Sequence, residues 1–424
     1  MSSRRLTIAS LASALVLTAC GAAPESSAPT STAPASPPPS VAATTEPSPN
    51  VSAAPSPVTF GAWRASAPML HARTGFDAVV LGDGTVLAVG DDQACLPGPA
   101  EPGSERAERY DPVADRWAEV PSLNKPRKEP ATVVTADGSA MVLGGINDVE
   151  QPFSSTKQFQ TDTGDWTDGP LMAVGRSQPL AVTLPDGSVI VVSQTGSGDR
   201  RYTGERLDPA SGSWAAISSL PARTFLDQMV ALTDGTVLAT GTFSGDTEDT
   251  PVAYVYDPGV DAWNGVQGLA GYGFTLVALP DGRALALGGN DGGELAGGTG
   301  GLTTAVHRFE PGRGVWATVA SMSTGRDEPQ VVVLADGRVL VAGGSADADA
   351  NGERALVSTE LYEPAADRWL RGPDLLEPRY AGQAIALADG SVLILGGTNE
   401  FNTAGDVPWC ATPLVTTERL DVAP

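Results

Sequence analysis

Short apolar runs recur along the chain in pairs, and an Asp-Gly dipeptide separates the two runs of each pair. Val331–Leu334 and Val339–Ala342 flank the dipeptide at Asp336 in this way. Apolar runs of this length are typical of buried strands, and Asp-Gly favours a two-residue hairpin because both positions tolerate positive φ. The pattern therefore predicts antiparallel strand pairs, named here strands a and b. Seven dipeptides recur at intervals of 47 to 55 residues and begin at Asp83, Asp137, Asp186, Asp234, Asp281, Asp336 and Asp389.

A tryptophan and a turn complete each repeat. In six repeats an apolar residue stands seven positions before the tryptophan and heads a turn, as in Tyr362-Glu363-Pro364 before Trp369. This spacing predicts two further strands, c and d. Four-stranded units at such a period are typical of β-propeller blades. The phased tryptophans are Trp63, Trp117, Trp166, Trp214, Trp263, Trp316 and Trp369.

The last repeat contains only three of the four strands. Its strands a, b and c are predicted over residues 383–387, 391–395 and 416–420. The sequence ends at Pro424, before a further tryptophan strand, whereas residues 59–66 around Trp63 hold the missing pattern. We therefore expect an all-β, seven-bladed β-propeller over residues 59–424, in which the N-terminal strand closes the last blade and removes its free edge.

The order of strand a, Asp-Gly, strand b, Gly-Gly, Tyr-Asp-Pro and tryptophan resembles the kelch repeat and the related galactose-oxidase-like propellers. The Gly-Gly pairs are Gly144-Gly145, Gly288-Gly289, Gly343-Gly344 and Gly396-Gly397. The resemblance implies a kelch-type propeller that serves as a binding or scaffold module. The copper site of the galactose-oxidase-like proteins uses two histidines. This chain has only His71 and His307, in different repeats, which disfavours copper radical chemistry.

The repeats differ in length almost entirely between strands b and c. From the Asp of Asp-Gly to the apolar residue of strand c, repeats 1 to 7 measure 27, 22, 21, 22, 28, 26 and 31 residues. The long repeats 5, 6, 7 and 1 are consecutive around a closed ring, so we expect one side of the b–c face to be built up. Loops on a rigid scaffold commonly bind partners. The alternative is that the lengths of the b–c loops vary because nothing constrains them. Because strand d begins on the opposite face, we expect the tether to leave there.

The composition excludes several classes of function. Against 50 Asp and Glu residues the chain has 26 Lys and Arg residues, and the net charge is 26 − 50 = −24. Sequence-independent nucleic-acid binding needs many cations, so no nucleic-acid partner is expected. Two histidines and three cysteines are too few for a zinc ribbon. No apolar run of about 18 residues follows the N-terminal region, so the body of the chain is not expected to span a membrane.

The N-terminus is predicted to carry an export signal. Arg4 and Arg5 precede a short apolar run, Leu6–Leu17, and Cys20 follows small residues. Residues 1–19 resemble a bacterial lipoprotein signal peptide. That resemblance implies that Cys20 is acylated and anchors the protein at the outer face of the cytoplasmic membrane, on the cell surface. The alternative is an ordinary signal peptide cleaved nearby.

A linker separates this signal from the repeats. Residues 21–58 hold ten prolines among Ser, Thr and Ala. Such a composition buries little apolar surface, so we expect a disordered, lipid-anchored tether over residues 20–58. At about 3.1 Å per residue it would reach roughly 118 Å. Contact with the membrane is expected through the lipid anchor only.

Two cysteines remain in the repeats. Cys95 lies in the b–c loop of repeat 1 and Cys410 in that of repeat 7, which adjoin through the ring closure. In an exported protein such a pair favours a disulfide bond. Two unpaired thiols are the alternative.

An arginine recurs about ten residues before the Asp-Gly pair, in the connection from strand d to the next strand a. Bidentate guanidinium groups suit carboxylate, sulfate or phosphate ligands, so these arginines are candidate ligand-binding residues. Bracing of neighbouring carboxylates or carbonyls within the blades is the other interpretation. The set is Arg73, Arg127, Arg176, Arg223, Arg326 and Arg379.

The b–c loop of repeat 6 resembles the start of a calcium loop. Asp347, Asp349, Asn351 and Glu353 alternate along it, and oxygen ligands at such spacing suit Ca²⁺. Ser358 stands at the twelfth position, where a bidentate acid belongs, so a solvated acidic loop is the alternative. Calcium is the only cofactor with any support in the sequence.

The sequence thus favours a lipid-anchored cell-surface propeller that binds an unknown protein or glycan of the cell envelope through its b–c and d–a loops. The alternative is a carbohydrate-active hydrolase, lyase or epimerase that uses arginines and carboxylates at the channel mouth. A catalytic centre would bring buried carboxylates and arginines together at that mouth.

Overall fold

A computed structural model of the chain describes residues 60–90, 105–147, 149, 151–195, 201–245, 249–267, 269–290, 301–349, 352–402 and 410–422. These residues form strands, turns and connections without an α-helix, so they contain no helix of the length and apolarity needed to cross a membrane. The signal peptide, the tether, Cys20 and Cys95 lie outside the described residues.

Seven four-stranded antiparallel sheets form the blades, as the repeat pattern predicts. The chain opens with β1 (Phe60–Ser66). Blades 1 to 3 follow, each in the order a to d: β2 (Asp77–Val80), β3 (Val86–Val89), β4 (Ala107–Asp111) and β5 (Arg116–Val120); β6 (Ala131–Val134), β7 (Ala140–Leu143), β8 (Thr156–Phe159) and β9 (Trp166–Asp168); β10 (Leu180–Thr183), β11 (Val189–Thr195), β12 (Arg201–Asp208) and β13 (Ser213–Ile217).

The remaining strands complete the ring. Blades 4 and 5 consist of β14 (Thr224–Ala231), β15 (Val237–Ser244), β16 (Asp249–Asp257) and β17 (Ala262–Val266); β18 (Thr275–Ala278), β19 (Ala284–Leu287), β20 (Val306–Glu310) and β21 (Val315–Val319). Blade 6 is β22 (Gln330–Val333), β23 (Val339–Ala342), β26 (Thr359–Glu363) and β27 (Arg368–Arg371), with the hairpin β24 (Ser345–Asp349) and β25 (Gly352–Ala355) inserted. Blade 7 is β28 (Gln383–Ala386), β29 (Val392–Leu395), β32 (Thr417–Val422) and β1, with the hairpin β30 (Thr398–Asn402) and β31 (Cys410–Pro413) inserted.

The core lies between the blades. Strand b is buried on both faces because a neighbouring blade covers each, and this explains why β23 and β29 are uninterrupted apolar runs. One apolar cluster joins Leu393 of blade 7 to Val86 and Trp117 of blade 1. Each blade therefore stabilises its neighbours, and the ring is one folding unit.

The first strand closes the ring, which confirms the prediction from Trp63. β1 pairs antiparallel with β32, and Trp63 faces Leu420. The indole of Trp63 donates a hydrogen bond to the carbonyl oxygen of Pro373 in blade 6, at 3.0 Å. Tryptophans in four other blades bond the preceding blade in the same way: Trp166 to Pro121, Trp214 to Pro170, Trp263 to Ser218 and Trp369 to Ala320. Trp63 therefore occupies the ordinary tryptophan position of a blade.

A tyrosine–aspartate contact, which the sequence analysis missed, adds a polar link between blades. The hydroxyl of Tyr362 donates to Asp367 at 2.8 Å, and the same carboxylate oxygen accepts the amide of Ala320 from blade 5 at 2.9 Å. Burial and the neighbouring carboxylate raise the pKa of Tyr362 to about 12. The amide of Ala320 and the tyrosine hydroxyl hold the pKa of Asp367 below its ordinary value. Tyr110 with Asp115 and Tyr256 with Asp261 repeat the contact.

The antiparallel order gives the ring two faces. The Asp-Gly turns and the c–d turns share one side, which we call the Asp-Gly face. The b–c connections and the d–a linkers share the other, which we call the b–c face. Arg109, near the turn-side end of strand c, forms an ion pair with Asp83 of the Asp-Gly turn. β1 begins at Phe60 on the Asp-Gly face.

Candidate functional site

Two β-hairpins stand on the b–c face of adjacent blades. β24 and β25 form the connection of blade 6, β30 and β31 form part of that of blade 7, and β25 lies against β30. In blades 3 and 4 strands b and c instead pair with each other as far as Thr195–Arg201 and Ser244–Asp249. Most of the long b–c connections of blades 1 and 5 lies outside the described residues. In the described part, blades 6 and 7 thus carry secondary structure that blades 3 and 4 lack.

Five of the six predicted arginines are buried beneath this face. Arg326 is representative: its guanidinium donates to the carbonyl oxygen of Gly343 at 2.7 Å, at the end of strand b, and to that of Ser358 at 2.9 Å, before strand c. The side chain thereby joins both ends of the b–c connection. The five buried arginines, each at most 1% exposed, are Arg73, Arg127, Arg176, Arg326 and Arg379.

A glutamate of strand c completes this arrangement in four blades. Glu360 accepts from the guanidinium of Arg326 at 3.0 Å through one carboxylate oxygen and from the amide of Ser323 at 2.7 Å through the other. The d–a linker is therefore fixed to the next blade at two points. The equivalent pairs are Arg73 with Glu108, Arg176 with Glu205 and Arg379 with Glu418, at 2.7 to 2.9 Å.

These contacts match the bracing interpretation of the arginines. Burial lowers the pKa of Arg176 and of Arg326, and the partner glutamate acts in the opposite direction in both cases. A guanidinium whose donors already bond carbonyls and a carboxylate has few left for a ligand. The described contacts also do not favour the carbohydrate-active alternative, because the four pairs are buried separately, each at a different blade. Ligand binding by these arginines stays a prediction that the structure does not test.

Blades 2 and 4 depart from the pattern. In blade 2 the glutamate position holds Lys157, which pairs with Asp168 at 2.5 Å, while the ring of Phe153 lies 4.5 Å from the Arg127 guanidinium. Burial lowers the pKa of Arg127 to about 10. In blade 4 Arg223 is half-buried, has a φ of 66° and lies 5.9 Å from the ring of Phe243.

Blade 5 has replaced both members of the pair. The linker reads Gly271-Tyr272-Gly273, and His307 stands at the glutamate position. Phe274 packs edge-on against the His307 ring, with 5.7 Å between ring centres, and the Thr318 hydroxyl lies 3.5 Å from its Nδ1. Burial lowers the pKa of His307 below its ordinary value. An apolar contact around a neutral imidazole therefore takes the place of the ion pair.

This environment predicts a pH-dependent stability of blade 5. The unfolded chain, in which histidine has a pKa of about 6.5, binds a proton more readily than the folded blade. The free energy of unfolding should therefore fall as the pH drops below about 6.5. We expect wild type to lose stability relative to His307→Gln between about pH 7.5 and 5.5 in urea titrations. His71→Gln, at a histidine that is 24% exposed, is the control. Parallel pH curves for wild type and His307→Gln would contradict the assignment.

The remaining candidate groups lie elsewhere on the b–c face. His71 bonds Glu119 through Nε2 and accepts from Arg106 through Nδ1, both at 3.2 Å. His71 lies in the linker that leads into blade 1, whereas His307 lies on strand c of blade 5. The two histidines therefore form separate local contacts. Cys410 begins β31, but its side chain and all of Cys95 lie outside the description, so the disulfide stays a prediction.

The predicted calcium ligands occupy the β24–β25 hairpin. Asp347 and Asp349 lie on β24 and Glu353 on β25. Their side chains, and Asn351 altogether, fall outside the description. Among the side chains that the structure does describe, no group of three or more histidines, cysteines or carboxylates could hold a metal ion. Calcium binding stays a prediction.

Comparison with known proteins supports a kelch-type propeller. No protein-family model matches the chain. Kelch-like protein 36 of Bos taurus is 27% identical over 202 residues, which is 47% of this chain and 31% of that protein. An F-box/kelch-repeat protein of Arabidopsis thaliana is 31% identical over 115 residues, which is 26% of this chain and 29% of that protein. The chain thus spans about three-tenths of the length of these curated relatives.

A solved structure with the same fold is a fungal alcohol oxidase of the AA5 family in complex with copper. It matches with a TM-score of 0.60 at 19% identity, over 86% of this chain and 76% of its own. At this identity the likeness concerns the fold alone. Together with the seven blades, these similarities assign the chain a kelch-type propeller fold.

Proposed function

We propose that this chain is a lipid-anchored propeller on the outer face of the bacterial cytoplasmic membrane, where it binds a protein partner through its b–c face. The observation that carries the proposal is the pair of adjacent hairpins, β24–β25 and β30–β31, on a rigid ring. Side chains and backbone edges displayed on a fixed scaffold form a binding surface with little ordering cost. The similarity to kelch-repeat proteins supports a binding or scaffold role.

The face on which β1 begins is compatible with an anchored protein. β1 begins at Phe60 on the Asp-Gly face, opposite the hairpins. A lipid on Cys20 would then leave the hairpins accessible to a partner. Labelling with radioactive palmitate should mark the wild-type chain and should be lost in Cys20→Ala, together with sedimentation with membranes. Equal labelling of both chains would contradict the anchor.

Site-specific photo-crosslinking tests the binding face. We expect a benzophenone amino acid at position 348, in β24, to trap an envelope protein on intact cells. The same probe at Ala366, an exposed c–d turn residue on the Asp-Gly face, is the matched control. A probe at position 399, on β30, should also trap the partner protein, because β25 lies against β30 and the two hairpins form one surface. Replacement of residues 346–354 by a Gly-Ser turn should abolish this crosslinking.

The test requires that the propeller still folds after the hairpin has been replaced. The hairpin lies outside the four-stranded sheet of blade 6, so the thermal midpoint should change by only a few degrees. Equal crosslinking from positions 348 and 366 would contradict a binding surface on the b–c face. Capture of a glycan instead of a protein would keep the face and change the class of partner.

A further inference from the structure

The central channel opens into an apolar cavity on the Asp-Gly face. Its volume is about 620 Å³, which lies within the range of about 300–1,000 Å³ that is usual for small-molecule sites. The wall comes from the last residues of strand a and the following turn in five blades, and Val80, Ala278, Val333 and Ala386 are half-buried in it. This cavity lies on the face opposite the hairpins, so the partner site does not account for it.

Eight of the residues that line this cavity belong to two sets of positions that recur in all seven repeats and are uncharged. Three positions before each Asp-Gly pair stand Val80, Val134, Thr183, Ala231, Ala278, Val333 and Ala386. One position before each pair stand Gly82, Ala136, Pro185, Thr233, Pro280, Ala335 and Ala388. Charged residues make up 18% of the chain, so fourteen average positions would hold two or three. These fourteen hold none, in a protein whose net charge is −24.

Three of the turn aspartates form ion pairs with arginines of strand c. Asp186 pairs with Arg206 at 2.6 Å, and Asp83 and Asp389 pair with Arg109 and Arg419. These arginines lie on strand c, two strands outward from the channel. In these three blades the carboxylate is paired on the outward side, whereas Asp281 and Asp336 pair with Arg283 and Arg338 beside their own turns, at 2.5 Å.

The chemistry of the wall selects a class of ligand. The lining residues are aliphatic apart from Thr233 and Gly390, and they include no aromatic ring on which a planar ligand could stack. Without a charged group the wall cannot compensate the desolvation of an ionic ligand. We propose that this cavity binds the aliphatic chain of an uncharged amphiphile. Each methylene buried there contributes affinity in proportion to the apolar area removed from water.

Titration calorimetry with a series of alkyl maltosides, below their critical micelle concentrations, tests the proposal. The full chain carrying Cys20→Ala is used, so that its own acyl group cannot occupy the cavity. From hexyl to octyl to decyl maltoside we expect the affinity to rise about threefold to fourfold per methylene, as burial of apolar area requires. Binding should show a negative heat-capacity change.

Filling the cavity should remove this binding. The double substitution Ala278→Leu and Ala386→Leu enlarges two wall residues. It is expected to weaken the binding of decyl maltoside by at least about tenfold, because the decyl chain would lose its contacts with the wall. Ala366→Leu adds the same side chain at an exposed turn and should leave the affinity unchanged. Equal affinity for the filled protein and the control would overturn the proposal, as would an affinity independent of chain length.

A co-sedimentation experiment identifies the source of the aliphatic ligand. Co-sedimentation with phosphatidylcholine vesicles that is lost in the filled variant would identify membrane lipid as the source. Binding of monomeric maltoside without co-sedimentation would identify a free amphiphile. Crosslinking from the hairpins is independent of both results, so failure here leaves the proposed partner site untouched.

Discussion

Deletion of residues 60–66 is expected to lower the thermal stability of the propeller sharply. β1 is the outer strand of blade 7, and Trp63 within it is only 4% exposed and packs against Val392 and Leu420. Loss of a buried tryptophan alone costs about 3–5 kcal/mol. The deletion also removes the hydrogen bonds between β1 and β32 and leaves an unpaired strand edge that invites association.

Thermal denaturation followed by circular dichroism and by light scattering measures this effect. Trp63→Ala isolates the contribution of the side chain, and Arg64→Ala, on the same strand with a side chain 45% exposed, is the control that should change little. We expect the deletion to lower the midpoint more than Trp63→Ala and to raise scattering. An unchanged melting curve for the deleted chain would show that β1 does not hold the ring closed.

The repeat pattern predicted the fold because each blade poses the same packing problem. Strand b must be apolar on both faces, the Asp-Gly turn must tolerate positive φ, and the tryptophan must reach the preceding blade. Gly337, which follows Asp336, has a φ of 84°, but none of the seven turn aspartates has a positive φ. The two-residue turn expected from the sequence is therefore wrong, and Leu334 and Arg338 close a three-residue turn in which only the glycine is left-handed. Seven copies of these constraints make the period visible in one sequence. The same period also predicted the position of β1, because Trp63 is the phased tryptophan that remains for blade 7.

The tyrosine–aspartate contact at the c–d turns could not be predicted from one repeat at a time. Asp115 is one acidic residue among many, and its bond with Tyr110 becomes recognisable only when the blades are compared. Where the apolar residue of strand c is tyrosine, the fifth residue after it is aspartate; where it is phenylalanine or leucine, that residue is glycine. The positions are Asp115, Asp261 and Asp367 against Gly164, Gly212 and Gly314, all with positive φ.

The arginines illustrate the same limit. Their spacing is visible in the sequence, but their partners lie on strand c of the following blade, two residues before the apolar residue that heads the turn. Glu108, Glu205, Glu360 and Glu418 occupy that position, and blade 5 lacks both the arginine and the glutamate. This paired loss indicates direct contact, although blade 2 keeps Arg127 where Lys157 has replaced the glutamate. A comparison of the seven repeats could therefore have favoured bracing over ligand binding from the sequence alone.

Loss of one buried glutamate should be far more costly than loss of an exposed carboxylate in the same blade. Glu360→Gln leaves the Arg326 guanidinium buried without a compensating carboxylate, and breaking a buried pair in this way costs about 3–5 kcal/mol. The control is Asp374, which pairs with Arg371 where the two side chains are 43% and 74% exposed. Exposed pairs contribute about 0–1 kcal/mol, so Asp374→Asn should have a small effect.

A double-mutant cycle then separates bracing from ligand binding. Arg326→Met with Glu360→Leu removes both charges, as blade 5 has done, and should be more stable than the single variant Glu360→Leu, because no buried charge is left unpaired. Urea unfolding of the single and double variants measures the coupling. If Glu360→Gln cost no more than Asp374→Asn, Arg326 would not depend on its glutamate. Its guanidinium would then be available to a ligand.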